Sequence, residues 1–105
     1  MNKLIALDSE LGKKIGFTSD RFAEGSYLWL VNGYVYISFI VSKEEGKGYL
    51  SELFDAILAN GWGVKVPTPF PKMELICLKK GFRKTTEFFE KVGENATVYV
   101  KEAKK

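Results

Sequence analysis

The chain has 105 residues, a hydrophobic fraction of 46% and fifteen aromatic side chains, enough for one packed domain spanning residues 1–105. A charged fraction of 28% with both signs mixed argues against disorder, and a net charge of only +3 is too weak to imply nucleic acid by itself, though it suits an anionic ligand. The absence of histidine removes imidazole-based metal sites and histidine bases, so no metal is expected. Cys77 is the single cysteine, so no internal disulfide can form. That cysteine usage, with no long apolar h-region in residues 1–6, gives the expectation of a cytoplasmic protein without a signal peptide.

Residues 4–7 form an apolar run that reads as a first strand, and Ser9 is placed to cap a short helix over 10–15. Residues 16–25 lack a period and read as an irregular connection; the part before residue 27 looks abbreviated. The clearest local signal follows. Two β-branched and aromatic runs, 27–31 and 34–41, flank Asn32-Gly33, a pair suited to a type I′ turn. The second run is almost continuously apolar, which predicts a central strand covered on both faces. After a polar loop over 42–48, Leu50, Leu53, Phe54, Ile57 and Leu58 form one helical stripe, closed by Asn60-Gly61. A strand over 62–66 stops at Pro67-Thr68-Pro69. Pro71 opens a second long helix over 71–80, closed by Gly81. Strands over 83–91 and 96–101, around residues 92–95, make a terminal hairpin. The last two lysines are expected to fray.

This order predicts an α+β fold: a mixed sheet with a parallel βαβ crossover in its middle, helices on both faces and a C-terminal hairpin. The sharpest chemical feature is Glu45-Gly46-Lys47-Gly48-Tyr49-Leu50, between a buried strand and an amphipathic helix. Glycines let backbone amides approach a ligand, and a helix N-terminus supplies free N–H groups and a positive dipole end. A tight turn with no ligand is the competing reading. Neither a GxxxxGK[ST] loop nor a GxGxxG turn is present.

Gly46-Lys47-Gly48-Tyr49-Leu50-Ser51-Glu52-Leu53 resembles the pyrophosphate loop and following helix of the GNAT N-acetyltransferases. Leu78-Lys79-Lys80-Gly81-Phe82 resembles that family's Lys-x-Gly-Phe at the end of its last helix. The resemblance covers roughly residues 27–101. Short chains of this sort also resemble GNAT-like proteins carried by tailed bacteriophages. The pattern departs in places. Glu45 stands where the family has Arg or Gln, and Leu50 where it has Gly or Ala. A second frame, residues 43–48, restores a basic first residue and both glycines but shifts the helix by two.

The resemblance implies acetyl-CoA as the acetyl donor, with Gly46, Lys47, Gly48, Tyr49 and Leu50 at its pyrophosphate. The backbone of Phe39, Ile40 and Val41 would pair with its pantetheine arm. An amine, on a protein or a small molecule, attacks the thioester directly. Counting back from Gly81-Phe82, Cys77 falls where the family often carries a tyrosine acid. Cys77 and Glu44 are the catalytic candidates, with Glu45 a further base. Thr68, Ser38 and Ser42 are weaker candidates around the cleft, and Trp29, Tyr34 and Tyr36 could line the acceptor side. Each has a plain structural reading: buried thiol, solvated loop charge, turn, strand end or hairpin pair. Two rivals follow: a GNAT-like scaffold without catalysis, binding coenzyme A or a protein partner, and a small nucleic-acid-binding domain built on Lys79, Lys80, Arg83, Lys84, Lys101, Lys104 and Lys105. The second is disfavoured because Glu87, Glu90, Glu94 and Glu102 interleave with the cations. Homodimer formation through an exposed strand edge is a further expectation, and no membrane segment is.

Overall fold

The computed structural model describes residues 2–44, 46–90 and 93–103. Glu45, Lys91 at the end of the expected strand over 83–91, Val92 and the terminal Lys104 and Lys105 lie outside the described residues. The elements in chain order are β1 (Asn2–Ala6), α1 (Glu10–Ile15), β2 (Tyr27–Val31), β3 (Tyr34–Phe39), α2 (Tyr49–Ala59), β4 (Gly63–Pro67), α3 (Pro71–Lys79), β5 (Arg83–Phe89) and β6 (Glu94–Lys101). The strands form one mixed sheet in the order β1-β2-β3-β4-β6-β5, leaving β1 and β5 as its edges.

Local chemistry explains the elements. Ser9 caps α1 by accepting from the Gly12 N–H at 3.0 Å. The β2–β3 turn holds Asn32 at φ 49° and Gly33 at φ 83°, as a type I′ turn requires. The α2 stripe buries Leu53, Phe54, Ile57 and Leu58. Pro71 supplies the first residue of α3.

Strand alternation decides the packing. Paired positions put Ile5, Leu28, Val35, Ile37, Val64, Val66 and Tyr99 on the same side of the sheet. These residues join Ile15 of α1, four residues of α2 and Cys77 of α3 in one buried cluster. Helices α2 and α3 touch through Lys80–Asp55 at 2.7 Å, and Phe54 lies 5.2 Å from Phe82. All three helices therefore sit on one face, which corrects the expectation of helices on both. For the same reason β3 is central but not covered on both sides: Val35 and Ile37 are buried, while Tyr34 and Tyr36 are half-buried on the helix-free face. A continuous apolar run cannot distinguish these cases, because tyrosine serves a core and a wet face equally well.

The strands β3 and β4 are parallel, and their pairing ends at Tyr36↔Lys65. Both continue beyond that rung, held by their outer neighbours: Phe39 pairs with Tyr27, and Pro67 with Val98. The sheet thus opens between them.

Candidate functional site

A groove of about 730 Å³ lies on the helix-covered side beyond the splay. One wall is Ile40, Val41, Ser42 and Glu44; another is Gly46 with Gly48 to Ser51 at the start of α2; the third is Phe70 and one stripe of α3. Its mouth is apolar and exposed. Phe70 is 84% exposed, Leu75 60% and Val41 45%, an unusual set to leave in water without a ligand.

The irregular segment before β2 builds the first wall. Phe22 bridges to Ser42, Ala23 N–H donates to the Val41 carbonyl at 2.8 Å, and Lys43 N–H donates to the Arg21 carbonyl at 2.8 Å. Val41 N–H donates to the nearly buried Ser26 Oγ at 3.2 Å. The backbone of Val41 is thus hydrogen-bonded within the protein, and Val41 lines the groove. Arg21 stacks on the Tyr49 ring at 5.3 Å and meets Glu52 at 3.3 Å, anchoring the first turn of α2.

The glycine turn is set by conformation. Gly46 and Gly48 have φ of 82° and 76°, left-handed values that cost other residues strain. Gly48 is the N-cap of α2 and has no side chain with which to cap it. Gly48, Tyr49, Leu50 and Ser51 line the groove, so the end of α2 that carries free amides and the positive end of the helix dipole forms this wall.

Of the site candidates singled out from the sequence, the groove brings together Ile40, Val41, Ser42, Glu44, Gly46, Gly48, Tyr49 and Leu50. Phe39, Lys47 and Cys77 do not line it. Phe39 is half exposed at the end of β3. Lys47 pairs loosely with Glu44 at 3.8 Å, both exposed. Cys77 is fully buried, and burial, aided by Glu74, pushes its thiol up to about 12. It is a core residue, so the counted-back acid position holds no accessible proton donor. Thr68 takes φ 43°, a strained value for a β-branched residue, with its N–H donating to Thr97 at 2.8 Å.

Sequence reasoning missed three features. Lys72, Leu75, Ile76 and Lys79 share the groove-facing stripe of α3, at the i, i+3, i+4, i+7 spacing that could have revealed it. Under α3 the Tyr99 hydroxyl donates to Glu74, and that bond is the main reason the phenol sits above its ordinary pKa. On the opposite face Lys65 meets Glu87 at 2.9 Å and Tyr36 at 3.2 Å. Burial opposes the Lys65 ammonium, but these two hydrogen bonds outweigh it and raise its pKa.

With this geometry in place, the comparisons bear on the fold. No family model matches the sequence, and no curated protein matches it. A solved structure described as "putative acetyltransferase from Agrobacterium tumefaciens" is similar over 97% of this chain and 74% of its own, with a TM-score of 0.54 and 17% identity. The chain has an acetyltransferase-like fold. At that identity the likeness speaks for architecture, and its bacterial source gives no support to a phage type. No helix among the described residues is long and apolar enough to cross a membrane.

Proposed function

We propose that the chain is an acetyl-CoA-dependent N-acetyltransferase whose acceptor is an amine. The observation that carries this reading is the groove beyond the end of β3, with the N-terminus of α2 as its wall. The pyrophosphate lies against the amides of Gly46 to Leu50, with Lys72 and Lys79 of α3 adding positive charge from the facing wall. The pantetheine arm runs along Ile40 towards the point where β3 and β4 part, where the thioester meets the acceptor. Glu44 lines the phosphate end, away from that point, so a base role falls to groups nearer the splay. The departing thiolate takes its proton from water in the open groove, since Cys77 and Tyr99 are both buried in the core.

Calorimetric titration with acetyl-CoA is the first test: saturable binding supports the reading, and its absence refutes it. The chemical screen that follows offers amines and detects released thiol. A second reading, a coenzyme A-binding scaffold without turnover, is favoured by the burial of Cys77; binding without any acetyl transfer selects it. A homodimer through β1 or β5 belongs to either reading, and sedimentation measures it.

A further inference from the structure

Phe70 is badly placed for folding alone. Its ring is 84% exposed, more than any other large apolar side chain among the described residues. It occupies the N-cap of α3, where serine, threonine, aspartate or asparagine would accept from the first amides. Phenylalanine cannot, which costs the helix about 1 kcal/mol. The chain leading to it is strained and stiff. Thr68 sits at φ 43°, held by its N–H on the Thr97 carbonyl at 2.8 Å, and Pro69 and Pro71 fix the backbone on either side of Phe70. Departures from local preference gathered at one groove residue mark a position kept for a ligand.

The place of Phe70 says which part of the ligand. Phe70 comes three residues after β4 ends at Pro67, and the half-exposed Phe39 ends β3. The two strands are parallel and pair last at Tyr36↔Lys65, so both residues lie at the end of the sheet where the pair opens. Val41 and Leu75 continue this exposed apolar rim along the groove. Among the described lining residues Glu44 is the one carboxylate, and the chain has no histidine. Glu44 belongs to the loop before α2, with Lys47 at 3.8 Å. The side chains nearer the opening are the hydroxyls of Ser42 and Thr68, which take a proton from an ammonium poorly. An alkylamine such as lysine, with a pKa of about 10.4, is unprotonated in only about one molecule in a thousand near pH 7.4. An aromatic amine is already unprotonated there, because its lone pair is delocalised into the ring, and that ring matches an apolar rim.

We propose that the acceptor is an aromatic amine, seated with its ring against Phe70 and its nitrogen at the opening between β3 and β4; this rests on the function proposed above. The neutral nitrogen attacks the thioester carbonyl, forming the C–N bond as the C–S bond breaks. One nitrogen proton passes through water to the thiolate. The products are an N-aryl acetamide and coenzyme A thiol, with no net release of a proton.

The test follows thiol release from acetyl-CoA with four amines: p-toluidine, phenethylamine, spermidine, and a lysine-free peptide with an unblocked α-amino group. The arylamine p-toluidine should give the highest kcat/KM at neutral pH, at least about tenfold above phenethylamine, which carries the same ring on a protonated nitrogen. Its rate should stay level through neutral pH, whereas that of phenethylamine should rise about tenfold per pH unit. Phe70→Ala, shown by circular dichroism to be folded, should raise KM for p-toluidine about two- to tenfold, and Phe70→Tyr, which keeps a ring, should restore it. An unchanged KM in Phe70→Ala, or a lead by phenethylamine, spermidine or the peptide, overturns the aromatic acceptor and spares the acetyltransferase. No turnover with any amine, in a protein that calorimetry shows to bind acetyl-CoA, overturns it in favour of the scaffold without catalysis. Failure to bind acetyl-CoA overturns both.

Discussion

Replacing Gly48 by alanine separates what the glycine turn does for the fold from what it does for a ligand. Gly48 has φ 76°, and a Cβ built there meets nothing within 4 Å. The penalty is therefore conformational, about 1–2 kcal/mol for an L-residue held left-handed. In a domain of this size each kcal/mol lowers Tm by roughly 4–8 °C. Gly33, at the far end of β3, is the matched control: its φ is 83° and its Cβ also meets open space. Gly33→Ala and Gly48→Ala should lose similar stability in urea unfolding followed by circular dichroism. Their binding should differ. The Gly48 methyl enters the groove beside the α2 amides, and loss of one charge-assisted hydrogen bond costs about 1.5–3 kcal/mol, roughly ten- to a hundredfold in Kd. Calorimetry with acetyl-CoA, at a temperature where both variants stay folded, should show Gly48→Ala weakened and Gly33→Ala unchanged. Equal binding by the two variants, or no stability loss in Gly48→Ala, would refute the reasoning.

Three other outcomes are expected. Phe54→Ala should cost about 3–5 kcal/mol in urea unfolding, because a fully buried ring packed on Phe82 leaves a cavity. Cys77 should make stability fall at high pH: its folded thiol titrates at about 12 and its unfolded one near 9.0, so the contribution is whole below about pH 9 and lost between the two values. The slope is at most about 1.4 kcal/mol per pH unit, and the stability gap between wild type and Cys77→Ala should narrow across that window. Tyr99→Phe should cost about 1 kcal/mol in urea unfolding, because Glu74 loses the phenol that donates to it; unchanged stability would show that the bond does not support the fold.

Much of the fold was readable from short-range chemistry. Asn32-Gly33 specifies its hairpin because both positions must adopt positive φ, and few pairs do so cheaply. The stripe from Leu50 to Leu58 specifies α2 and its buried face by spacing alone. Gly46 and Gly48 mark the turn in the same way, and the groove does form against them. The α3 stripe was harder to read, because its groove-facing side mixes Lys72 and Lys79 with Leu75 and Ile76. That mixture suits a wall meeting a charged, partly apolar ligand, but in sequence it blurs the contrast between inside and outside.

The sequence by itself determined the elements, their order and the glycine turn, since each rests on backbone preferences and periodicities within a few residues. Only the tertiary structure decided which face receives the helices, that Cys77 turns inward, that Val41 spends its backbone on Ala23 and Ser26, and that Lys65 meets Glu87. Those outcomes depend on register and strand pairing between residues 15 to 22 positions apart, which no local preference encodes.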